Sequence, residues 1–425
     1  MLRNFILILF FSFIDHSNVN AQTKSDTLHV KLPDAEKIFL DSNLLLLAQQ
    51  YNIDANKALI IQARLIPNPN FSISHGLYSG TLKQFFPTGN NDETAAGLSQ
   101  LILLAGKRNK QIKIAQANTA LSEFQFFDLI RTLKYALRTD FYNIYYLQRS
   151  AKVYDEEISS LQQVVTAFEE QQGKGYIAEK EVVRIKAQMY SLQSEYNDLQ
   201  NQINDLQSEM RLLLQVKHDE YIDPLIDSAS MADLSPAKYP LTALLDSAYQ
   251  NRTDLLIAKT NTNINRLNYD YQKALAVPDV TLSLGYDEQG SFLTNFYSIG
   301  ASIDLPFFNR NQGNIKSARS MIDLSEASQK STEATVENNV SRSLQKAYSE
   351  DKLYQNIDAR FSNDFDRLMH EVLINYQKRN ISLLDFLDFY DSYKQNILQI
   401  NNIKFGRVSA FEDINYYTGT SFFNQ

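Results

Sequence analysis

The stretch DVTLSLGYDEQGSFLTNFYSIGASIDLPFF, Asp279 to Phe308, alternates where its surroundings do not. Val280, Leu282, Leu284 and Tyr286 interleave with Thr281, Ser283, Gly285 and Asp287, the two-residue period of a strand. Beyond a Gly-containing loop, Tyr297, Ile299, Ala301, Ile303 and Leu305 interleave with Ser298, Gly300, Ser302 and Asp304. One face of this hairpin is oily and the other small and polar. Most of the remaining chain carries helical periodicity, so the hairpin is the feature that has to be explained.

A second copy of the pattern exists. Pro69-Asn70-Phe71-Ser72-Ile73-Ser74-His75-Gly76 resembles Pro278-Asp279-Val280-Thr281-Leu282-Ser283-Leu284-Gly285, 209 positions later. Gly97-Leu98-Ser99 matches Gly300-Ala301-Ser302, and Ile112 and Ala115 match Ile315 and Ala318. Each half reads helix, strand, strand, very long helix, tight turn, helix. The expected organisation is a signal over 1–21 and a first repeat over 22–235. That repeat holds strands at about 69–104, a long helix at about 106–172, a return helix at about 177–215 and a linker at 216–235. A second repeat over 236–425 holds strands at about 278–305, a long helix at about 311–378 and a return helix at about 381–418.

The helices carry a sustained heptad. Leu192, Tyr196, Leu199, Ile203, Leu206, Met210 and Leu213 recur at 4-3 spacing, as do Ile144, Leu147, Ala151, Tyr154, Ile158, Leu161, Val165 and Phe168. Strict seven-residue repeats imply left-handed supercoiling of packed helices. No proline interrupts Gly106–Gln172 or Asn311–Lys378. At about 1.5 Å per residue each of these rods would run roughly 100 Å.

Composition narrows the class. The 425 residues carry a net charge of −8, with no basic block to suit nucleic acid. Arg3, the apolar run Phe5–Ile14 and Val19-Asn20-Ala21 form a secretory signal. That run is too short to span a bilayer as a helix. Cysteine is absent, which removes disulfides, thiolate ligands and the residue a bacterial lipid anchor requires.

The strands are of a length that suits a tilted membrane-spanning strand of about 9–11 residues. Lipid leaves no backbone group unpaired, and a barrel needs about eight strands at least. Four strands per chain cannot close alone, so the chain is expected to oligomerise. Tyr78, Phe85 and Phe86 near one hairpin and Tyr286, Phe292, Phe296 and Tyr297 near the other suit either interfacial girdles or ordinary strand packing.

Leu65-Ile66-Pro67-Asn68-Pro69, Leu98-Ser99-Gln100-Leu101 running into Gly106-Lys107-Arg108, and Leu305-Pro306-Phe307-Phe308-Asn309-Arg310-Asn311-Gln312-Gly313 resemble the outer-membrane efflux family of TolC. They are most similar to its heavy-metal branch of CzcC-like and CusC-like channels. The resemblance implies a mainly α fold with a small β part: long coiled-coil helices in a two-fold repeat, plus four strands per chain in a trimeric, twelve-stranded transmembrane barrel. It implies an outer-membrane location, with a helical tunnel extending into the periplasm. The implied function is the passive exit duct of a tripartite efflux system. Its partners would be a periplasmic membrane-fusion adaptor and an inner-membrane pump of the RND type, with outer-membrane lipid around the barrel. An ATP-driven type I exporter of proteins or peptides would use the same fold. From a different class, a soluble periplasmic coiled-coil scaffold would share the heptads.

Nothing in the sequence proposes catalysis or a cofactor. There is no HExxH, no Gly-x-Ser-x-Gly and no phosphate loop, and His29, His75, His218 and His370 have no metal-ligand spacing. The residues singled out are structural and electrostatic. The turns Gly173-Lys174-Gly175 and Lys378-Arg379-Asn380 are expected at the periplasmic tip, with Gly and Asn supplying the positive φ of a reversal. By the resemblance these turns dock the adaptor. Asp385 and Asp388 share one helix face, either as an acidic first turn or, by the resemblance, as a ring of aspartates around the entrance. Glu181 and Tyr376 stand where that family places an aspartate and a tyrosine that hold the entrance shut. Ile381 stands where its arginine would be, leaving Arg379 or Lys180 as replacements.

Overall fold

The computed structural model describes residues 27–80, 82–87, 94–227, 231, 233–289, 293–358, 361–378 and 380–423. The signal at 1–21 and Arg379 therefore lie outside the described residues. The chain opens with β1 (Thr27–Lys31), α1 (Leu32–Ser42) and α2 (Leu44–Arg64). The strands β2 (Asn70–His75), β3 (Tyr78–Ser79), β4 (Gln84–Phe85) and β5 (Thr94–Ile102) follow. Next come α3 (Lys107–Gly173), α4 (Glu179–Leu214) and β6 (Tyr221–Leu225). The second half repeats the order with α5 (Leu241–Asn251), α6 (Thr253–Leu275), β7 (Val280–Gln289) and β8 (Thr294–Ile303). It ends with α7 (Gln312–Gln355), α8 (Phe361–Gln377) and α9 (Leu383–Thr418).

The two-fold repeat is visible in detail. The entry helix of each half is split at equivalent positions, Asn43 and Arg252, which are 209 residues apart. Asn43 caps α2 by accepting from the amides of Leu45 and Leu46. Arg252 instead forks onto Asp254 and reaches the carbonyl of Tyr417. Both long helices also start from a left-handed residue, Gly106 at φ 67° and Asn311 at φ 58°.

One rod departs from expectation. α3 is continuous over 67 residues, but the second rod divides into α7 of 44 residues and α8 of 17. The division falls at Asn356-Ile357-Asp358, where the Ile357 amide turns back to the Tyr354 carbonyl at 3.1 Å. Asn and Asp side chains compete for backbone hydrogen bonds and end helices without proline or glycine. The linker, too, is more ordered than its Asp/Pro/Ser composition suggests. Its strand β6 pairs in parallel with β1, from Thr27↔Tyr221 to Lys31↔Leu225. Gln207 clamps that strand, donating to the Ile222 carbonyl at 2.6 Å and accepting from the Ile222 amide at 2.9 Å.

The heptad residues form the cores. Leu192, Leu199, Ile203 and Met210 of α4 and Ile144, Ala151, Tyr154, Leu161 and Val165 of α3 are buried, with the remaining heptad positions packed against them. A third core joins α5, α7 and α9 through Leu244, Val336, Val340 and Phe411.

The main sheet runs in the order β2-β5-β7-β8, antiparallel throughout. Its register sorts the side chains into rows. Ser72, Gly97, Gly285 and Ser298 form one row across four strands, and Asn70, Ser99, Ser283 and Gly300 the next but one. Where serine faces glycine, the serine hydroxyl occupies the space a Cβ would take. A Cβ on Gly97, Gly285 or Gly300 would fall 2.8, 2.6 or 2.7 Å from the hydroxyl of Ser72, Ser298 or Ser283. The opposite face carries Phe71, Leu98, Leu284 and Ile299 in one row and Ile73, Ala96, Tyr286 and Tyr297 in another. That oily face is bare in the single chain, with Tyr297 76% and Ile299 83% exposed. Gln100, an amide on that face, is satisfied near the strand end by the carbonyls of Pro67 and Leu101. The first hairpin is shorter than expected. β2 stops at His75, and the chain turns aside into the small β3–β4 ladder, Tyr78 opposite Phe85.

One buried ion pair joins the sheet to the rods. Lys107 at the start of α3 is 4% exposed and meets Asp279 at 2.7 Å. Its ammonium also donates to the Val277 carbonyl, while Asp279 accepts from the Leu104 amide. A cation at a helix N-terminus opposes the macrodipole, and Asp279 offsets that cost. Asp279→Ala strands the ammonium and is expected to cost about 3–5 kcal/mol. Lys107→Met combined with Asp279→Leu should recover much of that loss in denaturant titrations of the detergent-solubilised protein. Equal losses in the single and double variants would show that the pair does not hold the junction.

Candidate functional site at the helical tips

The α3–α4 reversal is a Schellman turn. The Tyr176 amide reaches the Gln171 carbonyl and the Gly175 amide the Gln172 carbonyl, both at 2.9 Å. Gly175 sits at φ +76°, which a residue with a Cβ adopts only under strain. Gly173 does not share this role. It is the last residue of α3, has ordinary helical geometry, and leaves open space around an added Cβ. Lys174 is the C-cap, exposed between them.

The second reversal follows the same plan one helix pair later. The Asn380 amide reaches the Asn375 carbonyl at 2.9 Å, as Tyr176 reaches Gln171. Asn380 is therefore the counterpart of Tyr176 and not of Gly175, and its φ is not positive. The expectation that Asn380 supplies the left-handed residue is corrected on this point. Lys378 closes α8 through the Ile374 carbonyl and is exposed.

Beyond this turn, Ser382 and Asp385 form a capping box that starts α9. The Asp385 amide donates to the Ser382 hydroxyl at 3.2 Å, and the Asp385 carboxylate accepts from that hydroxyl at 2.7 Å. Asp385 thus has a local structural task. Asp388, one turn on, is exposed like Asp385, so both carboxylates stand on the open side of α9. Glu181 lies in the first turn of α4, where an acid suits the helix dipole, and Lys180 beside it is exposed.

Tyr376 is buried at 4% exposure. Its ring stacks on Phe386 at 4.3 Å and 8° and leans on Phe168 at 5.4 Å. Phe386 continues the ladder to Tyr390 at 5.3 Å. The Tyr376 hydroxyl has no hydrogen-bond partner, although burial and then the Glu181 charge push its titration upward. The two residues expected to pair are brought within electrostatic reach but do not bond. Tyr376 acts here as an aromatic wedge joining α3, α8 and α9.

A polar network deeper in the tip half escaped the sequence reading. Lys394 of α9, 5% exposed, bridges Glu195 of α4 at 2.8 Å and Asp391 at 3.2 Å. Tyr154 of α3 donates to the same Glu195 carboxylate at 3.1 Å. Burial opposes the Lys394 charge, but hydrogen bonds to Glu195 and Asp391 prevail and hold its ammonium above its ordinary range. A signal existed in the heptad-spaced acids and amides Glu195, Asp198, Gln202, Asp205 and Glu209 along α4. Among the described residues no group of three His, Asp or Glu side chains is arranged to hold a metal, and no helix is long and apolar enough to cross a membrane.

The chain matches the family described as "Outer membrane efflux protein" over residues 37–214 and 244–357. It is 21% identical over 277 residues to the cobalt-zinc-cadmium resistance protein CzcC of Cupriavidus metallidurans, covering 65% of this chain. The match spans 63% of that relative's length. Its fold is similar to that of the Campylobacter jejuni CmeC outer membrane channel, with a TM-score of 0.75, 15% identity and coverage of 91% and 85% of the two chains. It is likewise similar to CusC, known from structures of its folding and transmembrane channel formation, with a TM-score of 0.74, 18% identity and coverage of 94% and 95%.

The two tip glycines should separate experimentally. Gly175→Ala is expected to destabilise the α3–α4 reversal by about 1–2 kcal/mol, the cost of a left-handed residue with a Cβ. Gly173→Ala should instead favour the last turn of α3 by up to about 1 kcal/mol. Amide exchange of residues 168–182 reads both. Equal protection in the two variants would contradict the geometry.

Proposed function

The chain belongs to the outer membrane efflux protein family, and from that premise we propose that it is the exit duct of a tripartite efflux system. Three copies pool their four strands into one barrel in the outer membrane. Their helices continue as a tunnel through the periplasm, towards an adaptor and an RND-type inner-membrane pump. Transport through it is passive, with no chemistry at the wall.

The observation that carries this reading is the main sheet. It has two free edges, β2 and β8, one bare oily face and one face of serine and glycine. Water disfavours the oily face and lipid does not tolerate the edges, so β8 of one copy joins β2 of the next. The serine–glycine face then lines the lumen. At the other end the two tip turns meet the adaptor, with Gly173, Lys174, Gly175, Lys378, Arg379 and Asn380 as the contact. Asp385 and Asp388, three copies each, ring the entrance and favour cations. Glu181 and Tyr376 belong to its closed state. The Tyr376 ring wedged under Phe386 supports this more than any bond between the pair does.

The absence of native cysteine makes the barrel directly testable. Ser74→Cys is combined in turn with cysteine at Ser298, Gly300, Ser302 or Asp304, all on the lumen face. One of the four pairs should yield an oxidised, covalent trimer in isolated outer membranes. Failure of all four would reject the β8–β2 closure. For the entrance, Asp385→Asn with Asp388→Asn should lower cation preference severalfold in planar bilayers. Unchanged selectivity would leave Asp385 with its capping box alone.

A further inference from the structure

We infer that Glu157 is a proton-operated latch in the tip half of the rods. Protonated, it lets Lys394 clamp α9 to α4; ionised, it competes for that lysine and loosens α9.

Glu157 is 3% exposed and neither carboxyl oxygen has a hydrogen-bond partner. It lies 16 residues before Gly173 on α3, about 24 Å up the rod from the first tip. The groups around it come from three helices. Tyr154 is one turn away on α3, Glu195 projects from α4, and Tyr390, Asp391 and Lys394 come from α9. α8 contributes Met369, Val372 and Leu373 to the apolar packing of this cluster. The backbone is pinned, since the Tyr390 hydroxyl donates to the Glu157 carbonyl at 2.6 Å. The carboxyl alone is free to change state.

Charge counting makes the two states unequal. Lys394 is the single cation of the group and is already shared by Glu195 and Asp391. With Glu157 neutral the cluster carries −1 (one ammonium, two carboxylates). With Glu157 ionised it carries −2, inside a packed core where an unpaired carboxylate is costly. Relief comes from drawing the ammonium off Glu195 or from admitting water between the helices. Both weaken the α4–α9 clamp. Burial first, with help from Asp391 and Glu195 and against the opposing effect of Lys394, pushes the Glu157 carboxyl from 4.5 up to about 8. Between those values the folded chain holds a proton that the unfolded chain has lost. Stability therefore falls as pH rises through this window and levels off above it. The ionised fraction goes from about one-tenth at pH 7 to about nine-tenths at pH 9.

The latch itself does not depend on transport; only its consequence at the entrance rests on the duct reading. The primary measurement is amide exchange of residues 383–398 in the detergent-solubilised full chain, corrected for intrinsic pH dependence and referred to α7. From pH 7 to pH 9 the open fraction should rise about ninefold in the wild type. It should stay flat in Glu157→Gln and in the apolar variant Glu157→Leu. A flat wild type overturns the latch, as does an equal rise in whichever variant folds. Resting conductance in planar bilayers should follow the same pH profile. A conducting wild type without that profile overturns the latch alone. No conductance at any pH overturns the duct reading, and the exchange data then still decide the latch.

Discussion

Backbone hydrogen bonding at the two edges of a four-stranded sheet governs the rest of the molecule. β2 and β8 each present a row of unpaired amides and carbonyls, and they flank a face that is oily from Phe71 to Ile299. In lipid each unpaired group costs several kcal/mol. A sheet of this size has no way to close on itself, so in the proposed duct the burden passes to other copies of the chain. The repeat follows from the same demand. One hairpin and one pair of rods, duplicated, give each chain a larger share of the wall with fewer joints between chains. The Lys107–Asp279 pair lies where the two copies of the repeat meet, tying the first rod to the second hairpin.

In the proposed barrel, small residues on the inner face would have a packing reason as well as a functional one. A closed barrel brings its inner side chains together, and serine opposite glycine is the smallest polar pair that keeps the strands in register. At Gly97, Gly285 and Gly300 an added Cβ would meet the hydroxyl of the cross-strand serine, which would have to turn aside.

Much of this was legible because it is periodic. Val280 to Tyr286 declares a strand and Leu192 to Leu213 a supercoil, since each pattern needs only near neighbours to be read. Three features were not legible for the opposite reason. The β1–β6 pair joins Thr27 to Tyr221 across almost half the chain, and neither strand alternates strongly enough to announce a partner. The division at Asn356 falls at no proline or glycine, so the sequence carries no strong helix breaker there. Asn380 has the residue type of a left-handed cap, but its φ is not positive and its amide bonds instead to the Asn375 carbonyl.

The tip network was hidden by a second seam. The heptad Tyr154, Ile158, Leu161, Val165 describes only the side of α3 that faces α4. α3 also packs on α9, through Ser150, Glu157 and Val164, which are buried at the same seven-residue spacing. Two of these three are polar, so the seam casts no hydrophobic shadow in the sequence. It is held by specific bonds instead: Asn401 donates to the Ser150 hydroxyl, and Tyr390 to the Glu157 carbonyl. The two seams differ in what can undo them. An apolar seam is insensitive to pH and yields only to surface exposed all along its length. A polar seam carrying an unpaired carboxyl can be weakened at one point by the loss of one proton. For the proposed duct, a wall that stays closed along its length and yields near one end would be served by having both, with the polar seam placed on α9, the helix that carries Asp385 and Asp388.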